Sequence, residues 1–289
     1  MGAATLAMTL VALVLVAGVP FVRAQQPGSV TLDVFWMGWP RERVEALLNR
    51  FRQLHPNIQV NIELVPFAQL FQTINVRFQG GRGPDVYIVD GPNTPSYAVR
   101  GWLLPLDAFY TAEELSDYLA AGIAQGSYQG KLYSAPFVTS SQLFFYNRDY
   151  FAAAGLAPPP ASVEGRWTWD QVVAAAQKLT RRSADGRTEV WGFSFEQATD
   201  PYQLLPLPQS YGAQVISPDG LRASGYVDSP AFIEAMRWYW RLYNEWAVSP
   251  PGIDDLSIIQ EYFGTGRLAM MVGEPWNLNH FRTRYTQVP

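Results

Sequence analysis

A switch of hydrophobic period, made twice before Gly80, restricts the fold more than any other feature of this chain. Val30 to Trp36 reads as a strand, after which Val44, Leu47, Leu48, Phe51 and Leu54 recur at helical spacing until His55-Pro56 stops them. Ile58, Val60, Ile62 and Leu64 then alternate as strand residues do. Phe67, Leu70, Phe71, Ile74 and Phe78 return to helical spacing and end at Gly80-Gly81. With Pro84 to Val89 as a third strand the order is βαβαβ, which predicts an α/β layered fold with parallel strands. Pro40 is expected at the first helical position, and Thr111 with Glu114 matches a capping box that opens a further helix.

The pattern continues beyond. Leu143 to Tyr146 is a short apolar strand, and Pro158-Pro159-Pro160 marks a loop. Thr168 with Gln171 forms a second capping box, opening a helix with Val172, Val173, Ala176 and Leu179 on one face. Val190 to Phe195 reads as one strand. Ser229-Pro230 caps the longest helix, whose Phe232, Met236, Tyr239, Tyr243 and Trp246 are expected in the core. Ile258 to Phe263 is a short helix stopped at Gly264, and Leu268 to Val272 is a buried strand leading to Gly273-Glu274-Pro275-Trp276. A length of 289 residues favours two lobes over one large α/β domain.

Composition removes several function classes. A net charge of −4, with no basic run longer than Arg181-Arg182, lacks the electrostatic footprint of nucleic-acid binding. Without cysteine there is no disulfide, thiolate zinc site or thiol nucleophile, and His55 and His280 alone make no histidine metal cluster. No metal or cofactor is expected, and no lipid-modified cysteine can tether the chain. Residues 3–22 are almost wholly apolar and end at Val22-Arg23-Ala24, which predicts a signal peptide over 1–24. A membrane anchor is the alternative, since about 20 apolar residues can span a bilayer. Met1-Gly2-Ala3-Ala4 departs from the signal pattern by carrying no Lys or Arg.

Four stretches, in this order and spacing, resemble the extracellular solute-binding proteins of ABC importers, in the maltose- and trehalose-binding group. They are Gly83-Pro84-Asp85-Val86-Tyr87 leading to Asp90; Gly101-Trp102-Leu103-Leu104-Pro105-Leu106; Phe145-Tyr146-Asn147-Arg148-Asp149 running to Gly155-Leu156; and Gly266-Arg267-Leu268-Ala269-Met270-Met271 ending at Trp276. The resemblance implies a two-lobe periplasmic-binding-protein fold, type II-like, with chain crossings between lobes. Residues 25–138 would start the first lobe, 139–266 form the second, and 267–289 return to the first. Family members usually continue further, so more chain is expected after Pro289. The implied activity is capture of a sugar or oligosaccharide for a membrane permease, by an exported, periplasmic or extracellular monomer that is neither a lipoprotein nor an enzyme.

Sugars present hydroxyls and flat C–H faces, which carboxylates, amides and aromatic rings can meet. Trp276 is the leading candidate, because the similar family tryptophan lies against a sugar ring; the competing role is packing between lobes. Glu274 either accepts a hydroxyl or is solvated. Asp90 ends a predicted strand, where ligands of open α/β sheets bind, or caps a helix. Trp39 shares that topology, with helix packing as its alternative. Glu196 and Tyr202 are placed where the family supplies acidic and aromatic contacts. Thr139, Ser140, Ser141 and Gln142 either line the cleft or serve as ordinary hinge hydrogen bonds. Gly264-Thr265-Gly266-Arg267-Leu268-Ala269 satisfies G-x-G-x-x-A but runs from helix to strand, the reverse of a dinucleotide fingerprint. Gly126 to Lys131 has the wrong spacing for a phosphate loop and reads as a turn. A carbohydrate-active enzyme using Asp90 and Glu274 as acid and base is the rival class. Another small polar solute is the rival ligand.

Overall fold

The computed structural model describes residues 28–196, 201–252 and 255–285, with Pro201 and Tyr202 described in their backbone alone. The expected signal peptide at 1–24 lies outside these residues. No helix among the described residues is long and apolar enough to cross a membrane. The chain separates into two compact units, one ending at Asp90 and one beginning at Gly91.

The first unit is the predicted βαβαβ segment. Strands β1 (Val30–Met37), β2 (Ile58–Val65) and β3 (Val86–Tyr87) alternate with helices α1 (Arg41–Leu54) and α2 (Phe67–Gln79). The sheet is parallel, in the order β2-β1-β3, with Val34 opposite both Ile62 and Val86. Val34 and Phe35 are adjacent, so their side chains leave opposite faces of the sheet; both are buried, as a parallel sheet covered on each face requires. Leu70 and Ile74 of α2 are fully buried.

Three expectations need correcting here. On α1 only Val44 is buried, while Leu47 and Leu54 are exposed. At about 100° per residue these two lie roughly 60° and 80° to one side of Val44, at the margin of the stripe rather than its centre. Pro40 precedes the helix instead of opening it, because its ψ of 130° is extended. The third strand is only Val86–Tyr87, although the Ile88 N–H still donates to the Phe35 carbonyl, at 3.2 Å.

The second unit opens with short elements: α3 (Thr94–Val99), α4 (Ala112–Ser116), α5 (Ala120–Gln125) and the hairpin β4 (Ser127–Tyr128) to β5 (Lys131–Leu132). Gly126 begins that turn region, as expected. Then follow β6 (Leu143–Tyr146), α6 (Arg148–Ala153), α7 (Trp169–Leu179), the pair β7 (Arg181–Arg182) and β8 (Thr188–Val190), and β9 (Ser194–Phe195). Helices α8 (Pro201–Leu204), α9 (Pro206–Ser210), α10 (Pro230–Asn244) and α11 (Leu256–Gly264) lead to β10 (Met270–Gly273) and α12 (Asn277–Arg284). Both capping boxes form as predicted, and Ser229 caps α10 with Pro230 at its first position.

The segment from Val190 to Phe195 is not one strand. Val190 ends a hairpin with β7, whereas Ser194 and Phe195 pair with β10. The change of partner occurs between Val190 and Trp191, which already bridges Leu268 ahead of β10; at the next residue, Gly192, a Cβ would lie 2.0 Å from the Ala176 carbonyl oxygen of α7. Only glycine permits so close an approach. The buried strand starts at Met270 rather than Leu268, and α11 runs from Leu256 through Gly264.

On α10 the buried line is Ala235, Trp238 and Leu242, about a quarter turn from the predicted stripe. Met236, Tyr239, Tyr243 and Trp246 flank the core, half-buried. Tyrosines are better placed at that margin, because burial of a hydroxyl requires a partner; Tyr243 finds one in the Tyr239 hydroxyl, at 2.9 Å. Burial pushes the Tyr243 phenol far above its ordinary range. Trp238 packs tilted against Trp169 and edge-on to Phe193 and Phe195, with ring centroids 5.0, 6.4 and 6.5 Å away.

Candidate ligand-binding site

The site is set by the register of a three-stranded sheet in the second unit, ordered β6-β10-β9. β9 runs parallel to β10 with Phe195 opposite Val272, and β6 runs antiparallel with Leu143 opposite Gly273. Glu196 follows Phe195, Glu274 follows Gly273, and Gln142 precedes Leu143. All three therefore emerge at the same end, where the ladder stops and side chains gather beyond the carboxyl ends of β9 and β10.

Glu196 is 1% exposed, and neutral donors engage both of its carboxylate oxygens. Oε1 accepts from Gln260 Nε2 at 2.8 Å and from Asn277 Nδ2 at 2.7 Å, and Oε2 accepts from the Glu274 backbone N–H at 3.0 Å. Gln260 Nε2 also donates to Asn277 Oδ1, at 2.8 Å. Burial pushes the Glu196 carboxyl above its ordinary range; the donors from Asn277, Glu274 and Gln260 oppose this, and the nearby Glu274 charge adds to it. Gly273 lies against the cluster, since a Cβ there would come within 2.6 Å of Glu196 Oε2.

Glu274 is 3% exposed, which removes its alternative as a solvated carboxylate. Trp276, two residues on, is 45% exposed and immediately precedes α12, whereas Asn277 is fully buried. Exposed and buried side chains thus alternate within one turn. The Gln142 amide donates to the Gln203 carbonyl at 2.6 Å, while Thr139, Ser140 and Ser141 are exposed beside it. The side chain of Tyr202 lies outside the described residues.

The first unit holds the other two candidates. Trp39 is half-buried, edge-on to Trp36 with centroids 6.0 Å apart, and the Arg43 guanidinium lies 4.2 Å from its ring. Asp90 lies three residues beyond β3 and is half-buried.

Gln260 and Asn277 are the cluster members that sequence reasoning missed. The signal for Gln260 was a polar residue between Ile259 and Phe263 on the buried face of α11. Asn277 carried no comparable pattern. Among the described residues no group of His, Cys, Asp and Glu could hold a metal ion.

An exposed indole next to a polar cluster, at the carboxyl end of an α/β sheet, has the make-up of a small-molecule binding site. Residues 38–288 match the bacterial extracellular solute-binding protein family, and the chain belongs to that family. It is 26% identical over 243 residues to a Brucella abortus protein named only as a binding protein, covering 82% of this chain and 56% of that one. It is 23% identical over 234 residues to the maltotriose-binding protein of Pyrococcus abyssi, covering 81% and 46%. An ABC substrate-binding protein of Listeria monocytogenes, solved in complex with cycloalternan, superposes with a TM-score of 0.72 at 23% identity, over 90% of this chain and 64% of the other. That likeness shows the α/β, two-lobe fold expected from the sequence. The chain thus spans about half the length of the curated relatives it matches.

Proposed function

We propose that the protein captures a sugar or oligosaccharide outside the cytoplasm and delivers it to the permease of an ABC importer, without altering it chemically. The observation that carries this reading is Trp276: an aromatic residue left 45% exposed three residues beyond a strand whose four residues are all buried. An indole offers a flat apolar surface with one polar edge, which matches the C–H face of a pyranose ring. A relative named for maltotriose, and a neighbour solved with cycloalternan, support the ligand class. The reading includes export by a signal peptide over 1–24, a monomeric state, and lobes divided at 138/139 and 266/267. Trp39, Asp90, Tyr202, Ser140 and Ser141 remain proposed ligand contacts. A hydrolytic role for Glu274 is disfavoured by its burial, which leaves little access for a substrate oxygen.

The test is calorimetric titration of maltotriose, maltose and, as a non-sugar control, spermidine into the protein and its Trp276→Ala variant. Loss of an aromatic platform costs on the order of 2 kcal/mol, roughly thirtyfold in affinity, with unfolding free energy little changed. Sugar affinity unaffected by the substitution, together with a fall of about 3 to 5 kcal/mol in stability, would place Trp276 in a core instead.

A further inference from the structure

Trp276 is exposed over nearly half of its surface, so packing alone does not fix its ring. Its direction is inherited from the backbone of Gly273 to Asn277. That backbone is held on both sides of the tryptophan by one side chain: Glu196 Oε2 accepts from the Glu274 N–H, and Glu196 Oε1 accepts from the Asn277 amide. Within the turn, the Asn277 N–H donates to the Glu274 carbonyl and the Leu278 N–H to the Pro275 carbonyl, both at 3.1 Å. These bonds close the turn on itself, and Glu196 fastens it to the sheet.

The geometry points to Glu196 as a positioning residue that sets the orientation of Trp276, rather than as a group that grips the ligand itself. This assignment rests on Trp276 being the ligand platform. Three donors converge on Glu196, and both of its oxygens are occupied from within the unit. A glutamine of the same length has one acceptor oxygen and turns an NH2 toward the remaining donors, so it cannot satisfy all three. An aspartate is one methylene shorter. The requirement for three accepted bonds at this reach explains why a carboxylate is kept in a buried place without a cation among its donors, where an unpaired charge is costly.

The decisive variant is Glu196→Gln, compared with Tyr243→Phe, which removes a buried hydroxyl from the same unit but does not touch the turn. Two readouts need no ligand. The Trp276 indole N–H resonance, identified by its absence from Trp276→Ala, should shift in Glu196→Gln and stay in place in Tyr243→Phe. Hydrogen exchange of the Glu274 amide should accelerate only in Glu196→Gln. The third readout is maltotriose affinity in a double-mutant cycle. Glu196→Gln should weaken binding by roughly fivefold to tenfold in the parent chain and by less than about twofold in the Trp276→Ala background, as coupled residues do. Equal losses in both backgrounds, an unmoved indole resonance, or an equal shift in Tyr243→Phe would each overturn the assignment. Absence of maltotriose binding in the parent chain would instead defeat the oligosaccharide reading, leaving the positioning role to be decided by the resonance and exchange results.

Discussion

The two units build their sheets by opposite means. In the first unit β1 and β2 pair through eight consecutive residues, and backbone repetition defines the structure. In the second, β10 meets β6 through four residues and β9 through only two. Side chains supply what this ladder lacks: aromatic rings around Trp238 at its core and the Glu196 cluster at its end. Regular hydrogen bonding makes a frame, whereas a short sheet that ends early exposes a rim on which a site can be assembled.

The largest expected effect follows from this difference. Trp238→Ala should cost about 3 to 5 kcal/mol, because four neighbouring rings lose their packing partner. Its indole N–H is buried with no acceptor among the described residues, so Trp238→Phe should cost far less, on the order of 1 kcal/mol. In the first unit Ile74→Val should cost about 0.5 to 1.5 kcal/mol. Native-state hydrogen exchange assigns each loss to its unit. An equal loss of protection in β1 and β10 after Trp238→Ala would break the contrast and show one shared core.

The same difference explains what could be read from the sequence. Periods of 2 and 3.6 gave β1, α1, β2 and α2, because each of these elements is long enough to repeat its pattern several times. Capping chemistry gave the starts of α4, α7 and α10, since Thr111, Thr168 and Ser229 act within three residues. Ala235, Trp238 and Leu242 were missed as the buried line of α10 because Phe232, Met236, Tyr239, Tyr243 and Trp246 form a stripe more populated with large residues about a quarter turn away. The close approach that requires Gly192 depends on α7, which lies elsewhere in the chain. Glu196, Glu274 and Trp276 could be singled out by their place after strands, but their division into buried clamp and exposed ring could not. Gln260 is 64 residues from Glu196 and Asn277 is 81, so no local pattern joins them.

Glu196 also gives the second unit a pH dependence that the first has no matching buried carboxylate to produce among the described residues. Its folded-state pKa is raised by burial, so between the ordinary carboxylate value of 4.5 and that raised value the folded chain holds a proton that the unfolded chain has released. Stability from this group is then fully present below the unfolded value and is lost as pH rises through the folded one. The difference in stability between the parent and Glu196→Gln, followed by denaturation from pH 4 upward, should slope downward, because the other shifted groups contribute alike to both chains. A slope of the opposite sign would mean that the three donors outweigh burial.

The smallest effect concerns how helices begin. α1 and α2 follow Pro40 and Pro66 and have no side-chain cap, whereas α6, α7, α10 and α11 are capped by Asn147, Thr168, Ser229 and Asp255. Thr168→Ala should therefore cost about 1 kcal/mol. Pro66→Asp should change little. Pro66 already has an extended ψ of 136°, as a capping residue requires, so an aspartate there can accept from the first turn and contribute about 1 kcal/mol. Removing the proline restores freedom to the unfolded chain and costs about 0.4 to 1 kcal/mol, leaving a net change of no more than about 0.5 kcal/mol. Chemical denaturation of both variants measures the pair. A gain above about 1 kcal/mol for Pro66→Asp would mean that the proline contributes nothing through the unfolded state, and that the first unit is limited by its uncapped helices rather than by its core.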